Sequence, residues 1–172
     1  MTHLDTKFPT IVYDTHIIDP SIMDDILVNK NKKKRIHETF YYKKNKNPSI
    51  SFICDVASCF LDSNHFKHNS NIWYMDVIRY DLNNQKKGVD SGLAWHCEND
   101  NYDDLITVLL YLHIDDTIKD GNLKYKDKDN VKQIIEIKSG TTIIMDGEVP
   151  HKPQNPYGTG KRDLIIVSFK KH

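Results

Sequence analysis

A His-x-acid triplet, a lone histidine and an arginine follow one another in the second half of the chain. The triplet is His96-Cys97-Glu98 in GLAWHCEND, and the histidine is His151 in GEVPHKPQ. Arg162, in TGKRDLIIVSF, is one of only three arginines. Two imidazoles and one carboxylate on a rigid sheet suit the facial set that holds non-haem Fe(II) with positions left open. Side chains of an extended segment alternate between faces, so His96 and Glu98 point the same way and can reach one ion. The planar guanidinium of Arg162 suits bidentate recognition of a carboxylate. It opens the run Asp163 to Phe169, and a buried arginine needs an anion, from a salt bridge or from a ligand.

A second His-x-acid pair exists, His113-Ile114-Asp115 in YLHIDD. The chain between it and His151 leaves too few strands to bring the distal histidine back, so the first pair is preferred and His113 reads as a strand-end histidine. His151 lies between Pro150 and Pro153, which restrict the backbone and keep it extended. Asp100 shares a strand face with His96 but would lie about 13 Å away along an extended chain, which makes it a poor substitute for Glu98.

The elements that must carry these residues come in two textures. Residues 1–70 read as a mainly helical support region after a short strand at Thr10 to Tyr13. Asp19 suits an N-cap and Pro20 a first helical position, with Ile22, Met23, Ile26 and Leu27 as one apolar stripe. A second helix is expected from Ser51 to Leu61, with Phe52, Val56, Cys59 and Phe60 on its apolar side. Cys54 and Cys59 read as small core hydrophobes. Between the helices, residues 29–47 hold eight Lys or Arg against Glu38 alone, with Phe40, Tyr41 and Tyr42 interleaved. A single-stranded nucleic acid contact is conceivable there, but a solvated, lysine-rich loop and helix face is the preferred reading.

From Asn71 to Lys171 the chain reads as strands. IWYMDVIRYDL, LITVLLYLHI, VKQIIEIK, TTIIMD and DLIIVSF are β-branched or aromatic runs, parted by turn chemistry at NNQKKG, KDG, KSG and PYGTG. Short spacing without helix–strand alternation predicts two packed antiparallel sheets, a sandwich or barrel. Neither a Gly-rich phosphate loop nor a Gly-x-Ser-x-Gly elbow occurs.

Composition agrees with one domain over residues 1–172. Hydrophobic content of 38% and charged content of 28% suit a folded, soluble chain. Twenty-four basic residues balance twenty-four acidic ones, so net charge argues for neither nucleic acid nor an anionic membrane. No run approaches the ~18 apolar residues of a membrane span. The start is too broken by charge for a secretory signal, and three cysteines make a disulfide framework implausible. A cytoplasmic setting is expected.

Over these hundred or so residues the chain resembles the prolyl-hydroxylase-like 2-oxoglutarate and Fe(II)-dependent dioxygenases. VIRYDLN resembles the family strand whose tyrosine lines the co-substrate pocket, which would be Tyr80. TVLLYLHIDD resembles the strand whose tyrosine bonds a 2-oxoglutarate carboxylate, which would be Tyr111. DGNLKY stands where the family has a Gly-Gly-x-Leu-like turn. His96 and His151 match the two iron ligands, and Arg162 matches the residue that binds the distal carboxylate of 2-oxoglutarate. Glu98 departs from the family, which mostly has aspartate there. The extra methylene moves the carboxylate by about 1.5 Å, so the site must be reshaped to accept it.

The resemblance implies a double-stranded β-helix, a cupin-like jelly roll with the metal at its open mouth. It implies an enzyme with Fe(II) on His96, Glu98 and His151, with 2-oxoglutarate and O2 as co-substrates. The implied reaction hydroxylates a C–H bond, with succinate and CO2 as co-products. The subfamily likeness suggests a peptidyl side chain such as proline as substrate, with a small molecule the other choice and nucleic acid not favoured. Two other classes compete: a non-catalytic β-sandwich that binds a partner or nucleic acid, and a zinc or manganese hydrolase on a cupin-like barrel. The hydrolase would want a further His or Glu near the first pair, and WHCEND supplies no second histidine.

Overall fold

The structure, a computed structural model, describes residues 11–14, 18–28, 35–41, 47–88, 93–98 and 104–171. The first part holds β1 (Ile11–Asp14), α1 (Ile22–Ile26), β2 (Arg35–Phe40) and α2 (Pro48–Ser63). The second holds β3 (His68–Gln85), β4 (Leu105–Ile114), β5 (Ile118–Asp120), β6 (Leu123–Lys126), β7 (Lys132–Ile135), β8 (Thr141–Asp146), β9 (His151–Pro153) and β10 (Pro156–Lys171). All the pairings are antiparallel. The larger sheet runs β1-β8-β4-β10-β3-β2, with β5 also on β10, and the smaller runs β7-β6-β9. These are the packed antiparallel sheets expected from the strand-rich half, in the double-stranded β-helix that the resemblance implied.

Side-chain alternation assigns each face of the large sheet a different task. On β3, Met75 and Val77 join Ile106, Val108, Leu110, Ile165, Val167 and Phe169 in a core against the helices. The intervening residues Ile78, Leu109, Tyr111 and Leu164 pack with Leu123, Ile143, Met145 and Val149 in a second core between the sheets. LITVLLYLHI is apolar almost throughout because β4 is covered on both faces. The N-terminal helices therefore back the sheet and leave its inner face to the site.

Several expectations for the N-terminal part need correction. Residues 35–40, expected within a loop and helix face, form β2, the edge strand on β3. Their burial alternates strictly, with Ile36, Glu38 and Phe40 half-buried and Arg35, His37 and Thr39 exposed, which is the period of a strand. Lysines around an edge strand discourage further pairing. The rest of that basic segment, residues 29–34 and 42–46, lies outside the described residues.

The apolar stripe of α2 is also turned by one residue from the expected one. Ile50, Ile53, Cys54, Ala57 and Leu61 are buried, while Phe52 is exposed. Asn47 accepts a hydrogen bond from the Ser49 amide at 2.9 Å and Pro48 takes the first position, so the helix starts earlier than Ser51. Cys54 is buried, as expected, and burial pushes its thiol up to about 12. Cys59, expected in the core, is exposed, because five residues at 3.6 per turn place it about 140° round the helix. In α1, Met23, Ile26 and Leu27 are buried, but the helix starts at Ile22 with Ser21 as N-cap, so Asp19 and Pro20 stand in the turn before it, where Asp19 accepts from the Ser21 amide at 2.9 Å.

No helix among the described residues is long and apolar enough to cross a membrane.

Candidate metal centre and anion pocket

His96 and His151 meet as an antiparallel bridge, not within a regular ladder. Each backbone amide donates to the other's carbonyl, at 3.0 and 2.9 Å. The expected strand around His96 is thus one bridge residue laid along the turn after β8, where the Glu98 amide also donates to the Gly147 carbonyl at 2.9 Å. Asp146 accepts from the Glu148 amide at 3.0 Å and pairs with Lys171 at 2.6 Å, which ties that turn to the end of β10.

The side chains converge. One ligand atom from each of His96, Glu98 and His151 lies within 4.8 Å of the others, and this is the one such group among the described residues. Glu98 Oε1 sits 3.6 Å from His96 Nε2 and 3.3 Å from His151 Nε2. Ligands that share one ion at ~2.1 Å lie about 3–3.5 Å apart, so the group has the size of a metal site. Each histidine Nδ1 faces a backbone carbonyl at 2.9 Å, Ala94 for His96 and Val149 for His151. A carbonyl can only accept, so each Nδ1 carries a proton; Nε2 donates to Glu98 while the ring is protonated and presents a lone pair inward once the ring is neutral. His151 is buried, Glu98 largely so, and His96 is about one-third exposed (side-chain exposure 4%, 16% and 34%).

Burial alone would raise the Glu98 carboxyl, but hydrogen bonds with His151, His96 and Tyr74 hold it well below the usual carboxylate range. Glu98 in turn raises His96 above its ordinary 6.5, against the opposing effect of burial. Tyr74 donates its hydroxyl to Glu98 Oε2, and burial together with the Glu98 charge keeps that phenol protonated.

The other His-x-acid pair is turned on itself. His113 Nε2 lies 3.0 Å from Asp115 Oδ1, and Asp115 Oδ2 accepts from the Lys161 amide at 2.6 Å. Asp100 lies outside the described residues.

Arg162 is buried beside the cluster at the start of the apolar half of β10. Its Nη2 donates to the Gly121 carbonyl at 2.7 Å, while its Nε has no hydrogen-bond partner. Its guanidinium lies 5.2 Å from the Tyr111 ring centre and 5.8 Å from that of Tyr80. No carboxylate among the described residues pairs with it. Asp163, its neighbour, points to the opposite face and takes the Arg79 guanidinium at 2.7 and 2.9 Å. A buried cation with an orphaned donor costs several kcal/mol unless an anion joins it, on the order of the penalty for any unpaired buried charge.

Arg162, Tyr80, Tyr111, His96, Glu98 and His151 line one cavity of about 240 Å³. The donor set fits a first-row divalent ion with open positions, and the orphaned Arg162 Nε fits a carboxylate at the other end. Period-two counting places more of this wall, since Ile78 and Asp76 share the face of Tyr80 on β3, and Tyr74 follows on that face against Glu98. Tyr74, Asp76, Arg35 and His37 were missed as site residues. Arg35 lies 5.6 Å from the Tyr80 ring, and Asp76 bonds Thr39 at 2.6 Å and His37 at 3.3 Å.

The fold and this arrangement define a class, a jelly roll with a His-x-Glu…His cluster and a buried arginine on one cavity. Solved structures of the same fold include prolyl hydroxylases and 2-oxoglutarate–Fe(II) oxygenases. A prolyl-4-hydroxylase from Pseudomonas putida shares 12% identity at a TM-score of 0.59, over 92% of this chain and 90% of that one. A prolyl hydroxylase from Trichoplax adhaerens, in complex with a hypoxia inducible factor peptide fragment, gives 0.61 at 12% identity, over 94% and 83%. A viral collagen prolyl hydroxylase from Paramecium bursaria Chlorella virus-1, a 2-oxoglutarate complex, gives 0.57 at 19%, over 94% and 95%. No protein-family model matches the chain, and no curated protein sequence matches it. The likeness to the oxygenases is therefore one of fold.

Proposed function

We propose that this protein is an Fe(II)- and 2-oxoglutarate-dependent dioxygenase that hydroxylates a C–H bond. The observation that carries the reading is the shared cavity, with a three-residue metal-sized cluster at one end and an anion-lacking arginine at the other. His96, Glu98 and His151 would hold the iron, which supplies the activation of O2 for coupled oxidation of 2-oxoglutarate and substrate. Arg162 would take the distal carboxylate of 2-oxoglutarate through Nε and Nη groups, as guanidinium forks do. Tyr111, fully buried against Arg162, would give that carboxylate a second donor, and Tyr80 would wall the pocket. The apolar lining from Leu109, Leu123, Leu164 and Ile166 would exclude water from the reacting centre.

A peptidyl side chain such as proline is the proposed substrate, supported by the neighbour that holds a peptide. Free thiols at Cys54, Cys59 and Cys97 accord with a reducing, cytoplasmic setting.

The test is succinate release from 2-oxoglutarate with Fe(II) and O2, measured without substrate as slow uncoupled turnover. Iron-loaded protein that neither binds 2-oxoglutarate nor forms succinate would overturn the reading.

Acid should weaken metal binding early. His96 must shed its proton to ligate, and Glu98 raises its affinity for that proton above the ordinary 6.5. Glu98 itself stays ionised throughout this range. Metal affinity is thus fully present above the raised His96 value and falls as pH drops through it, by about tenfold per pH unit for each proton displaced. A Co(II) titration series from pH 8.5 to 5.5 reads this, and an affinity flat down to pH 6 would contradict it.

Gly121→Ala should disturb the anion pocket. Gly121 has φ +83°, and a Cβ there would lie 2.2 Å from Arg162 Nη1. The left-handed backbone alone costs alanine about 1–2 kcal/mol, a melting-point loss of roughly 2–8 °C for a chain this size. Displacing the guanidinium forfeits a charge-assisted bond of about 1.5–3 kcal/mol, so 2-oxoglutarate affinity should drop at least about tenfold. Calorimetry with unchanged affinity would show that Arg162 is not held by this turn.

A further inference from the structure

Glu98 is the longest carboxylate that could serve as third ligand, and its extra methylene gives it one more rotatable bond than aspartate. Left to itself, such a carboxylate can present either oxygen, or neither, to the two histidines. In this protein the choice is made. Oε1 faces His96 Nε2 and His151 Nε2, and Oε2 accepts the Tyr74 hydroxyl. We propose that Tyr74 is a positioning residue that holds Glu98 as a one-oxygen ligand and so adapts this site to glutamate. The proposal rests on the metal-site reading above and says what makes its unusual ligand work.

Tyr74 is itself held. It stands on β3 directly opposite Ser168 of β10, and its hydroxyl also bonds the Ser168 side chain. Ser168 is fully buried and bonds Thr107 of β4 at 3.0 Å. The row Thr107, Ser168, Tyr74, Glu98 thus crosses three neighbouring strands of the large sheet and ends on the carboxylate. Outer partners of this kind orient ligands and tune their donor strength. An aspartate at 98 would retract the carboxylate by about 1.5 Å, a C–C bond length, out of reach of Tyr74 or of the histidines. The glutamate and the tyrosine therefore form one unit, separated by twenty-four positions in sequence.

Anaerobic Co(II) titration of the full chain, followed by calorimetry and by the visible Co(II) bands, tests this. Tyr74→Phe should bind about 10–100-fold more weakly than wild type, with the apo protein folded by circular dichroism. Glu98→Asp should lose about as much, and Tyr74→Phe should add nothing in the Glu98→Asp background, because the bond it removes is already gone. Wild-type affinity in Tyr74→Phe would overturn the proposal. So would an equal loss in both backgrounds, which would make the effect of Tyr74 structural. If Tyr74→Phe does not fold, Glu98→Asp decides, since binding as tight as wild type would show that the site is not built for glutamate. Wild-type protein that binds no Co(II) would sink the metal-site reading itself, a result distinct from failure of Tyr74 alone.

Discussion

Arg162→Ala should lose 2-oxoglutarate binding by more than a hundredfold and leave the metal in place. The guanidinium is buried, faces the cavity and has no carboxylate of the described residues beside it. Its Nε is an unmet donor, and the rings of Tyr80 and Tyr111 screen it from water. Removing one member of a desolvated, charge-paired contact costs about 3–5 kcal/mol, which is a factor of more than ~100 in affinity. Arg162→Lys should recover only part, because an ammonium lacks the planar fork and cannot reach both carboxylate oxygens in register. Metal affinity should stay close to wild type, since Arg162 is not among the three clustered residues proposed as ligands. Calorimetry with iron-loaded protein reads the first effect, and metal titration reads the second. Equal 2-oxoglutarate binding by wild type and Arg162→Ala would make Arg162 structural and would remove the co-substrate assignment with it.

His96→Ala and His151→Ala should each abolish stoichiometric metal binding. A protein metal site of three or four ligands draws on roughly 10–16 kcal/mol in all, so one ligand is worth on the order of 3–4 kcal/mol. Two remaining ligands then hold a first-row ion several hundredfold more weakly, by the usual ~1.4 kcal/mol per decade. His113→Ala should leave the metal unaffected, because His113 is spent on Asp115 at 3.0 Å. The two ligand variants should differ in their cost to the fold. His151 is buried and its Nδ1 supports the Val149 carbonyl, whereas His96 is about one-third exposed. His151→Ala should therefore melt lower than His96→Ala when both are metal-free. Retention of metal by His96→Ala together with its loss in His113→Ala would reverse the choice between the two His-x-acid pairs.

Much of this was legible in the residues because the relevant period is local. Alternating apolar runs with turn residues between them specify strands that must bury a face, and DLIIVSF and LITVLLYLHI could do little else. The order His96, Glu98, His151, Arg162 was visible for a similar reason. Each residue type has a narrow chemistry, and the resemblance supplied the order in which such a site uses them. Even β2 was readable in hindsight, since Arg35 to Phe40 alternates with period two. The lysines around it masked the signal.

Register and closure were not legible, because they depend on residues distant in sequence. Tyr111 pairs with Leu164 on β10, but two positions on His113 pairs with Asp163, so Leu112 is an extra residue in β4. That bulge brings both Tyr111 and Ile114 to the inner core despite their odd spacing. Nothing local in YLHIDD announces it. The His96–His151 bridge, the Tyr74 bond to Glu98 and the orphaned Nε of Arg162 are of the same kind. Local composition determined which residues could ligate a metal or grip an anion and which segments would be strands. Sheet pairing decided which of them face one another, because a hydrogen-bond partner is chosen by the space left after strands far apart in the chain have packed.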